Sequence, residues 1–278
     1  MSYITFKNIA TSGDLGSQIL QYFSLYAVAK ENNKIIVFPE SIINKGWGFK
    51  FCNLLDIEVC YKSDDFFKDF VSIKMDQTLI VDPKMLNLDK NTNYNIDDLF
   101  YLFNYWYPKY SDDVMNLSWN KKYQEIADSV FEKIRVPNKE LISLHVRRGD
   151  YLLPQHHHFC QLDTDYYSKA IEPFLEDIEK YHFVVFSNDI EWCKSNLIEG
   201  EMVTFVEHNT DYVDLILMSM CDHNIIANST FSWCAAYKNK NVDKTVICPK
   251  NYVKSYSAVS FLNGIYYPNT WKNIENQS

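Results

Sequence analysis

His145, Arg147, Arg148 and Asp150 crowd the end of an apolar run in the stretch ISLHVRRGDYLLP, residues 142–154. Arginine suits the clamping of phosphate oxygens, because its planar fork of donors stays charged. Neighbouring strand residues point to opposite faces, so the two arginines are expected to divide their work. One would face a ligand, and the other could pair with Asp150 and fix the loop. A structural ion pair at a strand end is the plainer alternative.

Other polar clusters repeat this placement. Asn228-Ser229-Thr230-Phe231-Ser232 stands where a strand gives way to a helix. Hydroxyls and unpaired backbone N–H groups there can cradle a phosphate, although ordinary N-capping uses the same residues. Ser187-Asn188-Asp189 follows the apolar run FVVF. Asp214 lies on the helix before the Asn228 strand, where its carboxylate could accept paired donors from a guanine edge or simply face solvent. His156-His157-His158 and Cys160 could suggest a metal site. Consecutive residues cannot all face one ion, and no second cluster at zinc spacing accompanies them. A loop histidine touching substrate fits better.

The elements that must carry these groups read as alternating strands and helices. Strands are expected at residues 141–146, 183–186, 202–206, 224–227 and 245–248. Helices are expected at 166–181 (with a kink at Pro173), 190–196, from Thr210 or Asp211 to 220, and from Asn228 to Lys238. This alternation implies a parallel sheet covered on both faces. Ligands of such sheets sit beyond the carboxyl ends of the strands. Near the N-terminus a strand at 3–6 leads through GDLG into a helix from Ser17 to about Asn32, followed by a strand at 35–38. A glycine-containing loop feeding a helix is a weak anion-site signal. Residues 40–135 mix short apolar segments with acidic and Asn-rich turns, and include the aromatic cluster Asn104-Tyr105-Trp106-Tyr107.

Composition narrows the function classes. The 278 residues carry a net charge of −9, so no bulk field attracts nucleic acid, and any anion must be held locally. Seven scattered cysteines without a CxxC pair favour free thiols in a reducing compartment. No segment is long and apolar enough to suggest a transmembrane helix, and the first residues do not read as a signal peptide. A cytoplasmic protein, peripheral at most to a membrane's inner face, is expected.

Four stretches together resemble the α-1,2-fucosyltransferases of glycosyltransferase family 11 in their short bacterial form. They are GDLGSQILQY (Gly13–Tyr22), HVRRGDY (His145–Tyr151), FSNDIEWCKSNL (Phe186–Leu197) and DLILMSMCDHNIIANSTFSWCAA (Asp214–Ala236). The chain departs from the family's usual residues at Ser17, Asn188 and Cys234. The resemblance implies an α/β, GT-B-like fold of two Rossmann-like lobes, 1–135 on the acceptor side and 136–278 binding the donor. It implies transfer of L-fucose from GDP-β-L-fucose with inversion, to O2 of a terminal galactose on a glycan of surface-polysaccharide or O-antigen type. No cofactor and no divalent metal is implied.

By position, His145 and Arg147 would contact GDP, with Arg147 on the pyrophosphate, which leaves Arg148 to pair with Asp150 and fix the loop. Ser229, Thr230 and Ser232 would support the phosphates beside Asn228. Asp214 would read guanine, and Ser187 and Asp189 would lie near the nucleoside. Gly16 and Gln18 would approach the donor from the first lobe. Asp150, His156 and Asp14 are the candidates for taking the acceptor's proton. A transferase of α-1,6 regiochemistry and a non-catalytic GDP-sugar-binding protein are the alternatives.

Overall fold

The computed structural model describes residues 1–11, 13–46, 48–74, 83–97, 103–255 and 267–276. The chain divides into two units, Met1–Lys121 and Lys122–Ser278. The boundary falls before the expected 135/136, because Tyr123 packs on Tyr212 with ring centroids 4.6 Å apart. That contact ties the segment 122–135 to the second unit.

In the first unit, β1 (Tyr3–Thr5), β2 (Ile35–Ile36), β5 (Val71–Ile73) and β6 (Tyr94–Ile96) form a parallel sheet in the order β2-β1-β6-β5. The expected strand at 35–38 is split. Its second half, β3 (Phe38–Pro39), leaves β1 and pairs instead with β4 (Tyr61–Lys62). Helix α1 (Leu15–Glu31) is buried nearly all round, as its dense apolar sequence requires. Asp14 caps its start, accepting the Leu15 N–H at 2.8 Å, and also pairs with Lys50 at 2.6 Å. Asn32 closes its end by donating to the carbonyls of Val28 and Met85, both at 2.8 Å. A short helix α2 (Phe51–Leu54) and α3 (Phe103–Asn116) complete this unit. The side chains of the Asn104–Tyr107 cluster lie outside the described residues.

The second unit begins with α4 (Lys121–Ile134), which starts at the boundary itself. It contains β7 (Glu140–Val146), α5 (Thr164–Leu175), β8 (Tyr181–Ser187), α6 (Ile190–Asn196), β9 (Val203–Phe205), α7 (Asp211–Met220), β10 (His223–Ile225), α8 (Thr230–Lys238), β11 (Val246–Pro249) and β12 (Lys272–Ile274). All six strands are parallel, in the order β12-β11-β10-β7-β8-β9. Helix α5 stops at Leu175, earlier than the expected 181, two residues after Pro173 removes one N–H from its last turn.

β7 is buried along nearly its whole length, as a central parallel strand must be. Its two faces do different things. Ile142, Leu144 and Val146 join Phe183, Val185 and the α5 residues Tyr166, Tyr167 and Phe174 in one apolar cluster. Burying each such side chain contributes roughly 1.5–3 kcal/mol. On the other face, Ser143 accepts from the Asn224 amide at 2.6 Å, and Asn224 in turn accepts from Asn239 at 2.8 Å. His145 lies on this second face, its ring 5.6 Å from that of Phe231 on α8.

Candidate active site

Strand order in the second unit runs outward in both directions from the β7–β10 pair. Ligands of open parallel sheets collect beyond the carboxyl ends of the strands where the order reverses. Val146 and Ile225 end the two strands at that point. The arginine loop leaves β7 there, and Asn228-Ser229-Thr230 follows β10 before opening α8. Ser187-Asn188-Asp189 leaves the adjacent β8 on the same rim. The N-terminus of α7, with Asp214 in its first turn, follows β9 on that rim.

The arginines pair the other way round from the sequence expectation. Arg147 donates to Asp150 at 2.8 Å and lies over the Tyr151 ring, its guanidinium carbon 5.3 Å from the centroid. Its Nε is buried without a hydrogen-bond partner. Arg148 pairs with Asp189 at 3.1 Å and stacks on Trp192 of α6 at 4.0 Å. The cause is strand alternation: Arg147 continues the Ser143–His145 face and Arg148 turns to the α6 side. A single 3-10 turn at Gly149–Leu152 then brings Asp150 back to Arg147. The two arginines do divide their work, but Asp150 serves Arg147.

Asp189 caps α6 by accepting the Trp192 N–H at 3.4 Å, and its own N–H is held by Ser187 Oγ at 2.9 Å. Asn188 accepts the Arg148 N–H at 2.9 Å and donates to Asp150 at 3.4 Å. His145 is buried, with Nδ1 unpartnered. Burial, with the Arg147 charge adding to it, holds its imidazole down to about 3, so it is neutral at physiological pH.

Asn228 is buried, and its amide donates to the carbonyls of Cys160 and Tyr252 at 2.9 and 2.8 Å. Its own carbonyl accepts the Tyr151 hydroxyl at 3.0 Å, which stitches the β7 and β10 loops together. Ser229 caps α8 by accepting the Phe231 N–H at 3.3 Å. Ser232 is buried and donates back to the Ser229 carbonyl at 3.4 Å. Thr230, half-buried, is the first residue of α8. Of this cluster, Asn228 and Ser232 therefore have structural bonds, and Ser229 and Thr230 stand at the helix start.

His156 lies in the turn after the arginine loop, its ring nearly parallel to those of Tyr151 and Phe159 at 6.3 and 6.0 Å. Gln18 and Gly16 belong to the first unit. Gln18 donates to the carbonyls of Gly13 and Gly48 at 3.2 and 2.8 Å and accepts the Lys50 N–H at 2.9 Å. Its buried amide thus knits the glycine loop within that unit. Among the described residues no group of three or more His, Cys, Asp and Glu is arranged to hold a metal ion. No described helix is long and apolar enough to cross a membrane.

Asp214 accepts from the Asn209 amide at 3.1 Å. Burial, helped by Asp211 and opposed by the Asn209 bond, raises its carboxyl to about 6. A carboxyl raised on folding binds its proton more tightly in the folded state. Its stabilising contribution is present below the unfolded carboxylate range and is lost as pH rises through about 6. Asp214→Asn is expected to remove this slope and to raise stability at pH 7 by on the order of 1–2 kcal/mol. Urea midpoints of both proteins between about pH 4 and 7 check it; a pH-independent difference between them would refute the assignment.

Sequence reasoning missed Trp192 and Tyr151 as parts of the site. Trp192 could have been found, since it lies three residues after Asp189, one helical turn along the same face.

The family model described as "Glycosyl transferase family 11" matches residues 3–275. An α-1,2-colitosyltransferase from Escherichia coli is 29% identical over 264 residues, covering 84% of this chain and 88% of that protein. The human galactoside α-(1,2)-fucosyltransferase 1 is 36% identical over 126 residues, 41% of this chain and 34% of that protein. The Escherichia coli O-antigen biosynthesis glycosyltransferase WbnK is 37% identical over 130 residues, 44% of this chain and 42% of that protein. The matches to the last two thus span less than half of each relative's length. Among solved structures, fucosyltransferase NodZ from Bradyrhizobium has a TM-score of 0.56 at 11% identity, covering 84% of this chain and 93% of that one. The fold is the GT-B-like α/β fold of those fucosyltransferases.

Proposed function

Since the chain belongs to glycosyl transferase family 11, we propose that it transfers L-fucose from GDP-β-L-fucose, with inversion, to O2 of a terminal galactose. The observation that carries this reading is Arg147 at the switch point of the second sheet, with a buried Nε that no protein group satisfies. A buried unpaired donor on a cation is costly, and a diphosphate oxygen would satisfy it. Two α-1,2-transferases among the relatives support the linkage.

In the proposed reaction the bond from fucose C1 to the phosphate oxygen breaks, and its electron pair stays on GDP. The acceptor O2 bonds to C1 from the opposite face, and its proton passes to a base. Charge grows on the diphosphate as the bond breaks, so a cation there favours the transition state over the ground state. Arg147 and the N–H groups at the start of α8 are assigned that work, with no metal and no cofactor. His145 and Asp214 would hold the nucleotide. Of the loop's proton acceptors, Asp150 is already engaged by Arg147 and Asn188, which leaves His156 as the base we assign. The first unit would shape the acceptor side. The acceptor would be a lipid-linked glycan met at the inner face of a membrane.

The test is incubation with GDP-fucose and galactosides, with the product linkage mapped by NMR. A product linked α-1,2 is expected, and one linked at O6 or O3 rejects the regiochemistry. Binding of GDP without any turnover would favour a non-catalytic GDP-sugar-binding protein. The whole-length similarity to a colitosyltransferase favours a second reading, in which the donor sugar lacks O3. Competing GDP-fucose against GDP-colitose in the same assay separates the two.

A further inference from the structure

We infer that Tyr151 is a positioning residue for Arg147: its buried ring is the platform that fixes the plane of the guanidinium. The Asp150 carboxylate holds that guanidinium at Nη2, at 2.8 Å. One such bond leaves a planar fork free to swing about the contact. The Tyr151 ring supplies the second constraint, with the guanidinium carbon 5.3 Å from its centroid. The fork is thus held at one nitrogen and across one face, and its Nε has no protein partner. Arg148 is held in the same two ways, by the Asp189 carboxylate and by the Trp192 ring at 4.0 Å. Each arginine of the loop therefore has its own carboxylate and its own aromatic face.

The Tyr151 ring is itself fixed. It is 7% exposed, and its hydroxyl donates to the Asn228 carbonyl at 3.0 Å. The Phe159 ring lies within 6° of parallel to it at 4.3 Å. The backbone carbonyl of Tyr151 accepts from the Gln161 amide. The ring cannot tilt without disturbing these contacts, so it is a firm surface for the cation. An aromatic face suits this task in a way that a second carboxylate would not. Its quadrupole attracts the guanidinium without cancelling the net charge. That charge stays available to the oxygens on which negative charge grows. The hydroxyl bond also crosses to the loop that opens α8, so Arg147 and the helix start share one frame.

The inference rests on Arg147 acting at the donor diphosphate. The experiment compares wild type, Arg147→Ala, Tyr151→Phe, Tyr151→Leu and the double variant Arg147→Ala/Tyr151→Leu. It reads kcat and KM for GDP-fucose, with thermal midpoints alongside. Tyr151→Leu is expected to lower kcat by about 10²-fold, the cost of a small misplacement of a catalytic group, with KM changed far less. Tyr151→Phe also loses the bond to the Asn228 carbonyl and should melt lower than wild type, yet it keeps the platform and most of the wild-type kcat. A purely structural role would instead make kcat follow the thermal midpoint in both variants. In the Arg147→Ala background, Tyr151→Leu is expected to cost no further kcat, because a residue that acts through another is not additive with it. Pentafluorophenylalanine introduced at Tyr151 keeps the shape of phenylalanine and reverses the charge of the ring face. It should lower kcat by about 10-fold against Tyr151→Phe, which keeps the test open if Tyr151→Leu folds poorly. Three results overturn the inference alone, each with turnover lost in Arg147→Ala: near-wild-type kcat in Tyr151→Leu, additive losses in the double variant, or equal kcat for Tyr151→Phe and its fluorinated counterpart. Full turnover in Arg147→Ala overturns the functional reading beneath it.

Discussion

Arg147→Ala is expected to lower kcat/KM for GDP-fucose by about 10³-fold, the upper end of what one transition-state donor supplies. The fold should survive. Arg147 and Asp150 are 31% and 37% exposed in their side chains, and a pair at that depth contributes about 1 kcal/mol or less. Circular dichroism and a thermal midpoint within a few degrees of wild type would establish that the loss is chemical. Arg147→Lys is the sharper comparison. Lysine keeps the charge and could still reach Asp150, but it has a point charge where the guanidinium has a fork. A loss of about 10²-fold is expected for it on the same footing. Near-normal turnover in the alanine variant would remove Arg147 from the mechanism.

The second large effect concerns stability. Asn228→Ala removes two hydrogen bonds, to the carbonyls of Cys160 and Tyr252, from a fully buried position. Buried groups stripped of their partner cost about 1–3 kcal/mol each. A total loss of about 2–4 kcal/mol is expected, which in a domain of this size lowers the melting temperature by roughly 5–15 °C. Asn228 Oδ1 has no partner to lose, so Asn228→Asp, which discards the donors and adds buried charge, should be at least as damaging. Differential scanning calorimetry decides the matter. An unchanged melting temperature in both variants would mean that the loops it joins are held by other contacts.

The second unit was legible in the sequence to a degree that the first was not. Its strands are longer and buried on both faces, so they stand out as apolar runs such as LISLHV and FVVF. In the first unit most strands are two or three residues long, too short for any periodicity to register. The split between β2 and β3 is a tertiary choice, made by which neighbour each dipeptide pairs with, and no local signal records it. β12 escaped for the same reason, since its exposed, polar sequence KNI has no strand signature.

At the candidate site, residue types pointed to loops that the sheet brings to one rim, but not to the partners within them. The arginine–aspartate pairing was reversed because a single glycine turn decides which side of the loop Asp150 reaches. Asn228 looked like a phosphate contact and is a clamp on carbonyls. Its sequence neighbours could not announce this, because Cys160 and Tyr252 lie 68 and 24 residues away.

The placement of β10 beside β7 has a kinetic consequence. Those strands join segments separated by 81 residues, as the bond from Asn224 to Ser143 measures. Contacts of such high sequence separation carry a large loop-closure cost and close later than the local helices around them. The rim proposed to bind nucleotide is built across that seam, so no partly assembled form of the second unit should offer it. Nucleotide binding during refolding would then report the completion of the sheet, and a ligand that binds only the finished state would draw the folding equilibrium toward it.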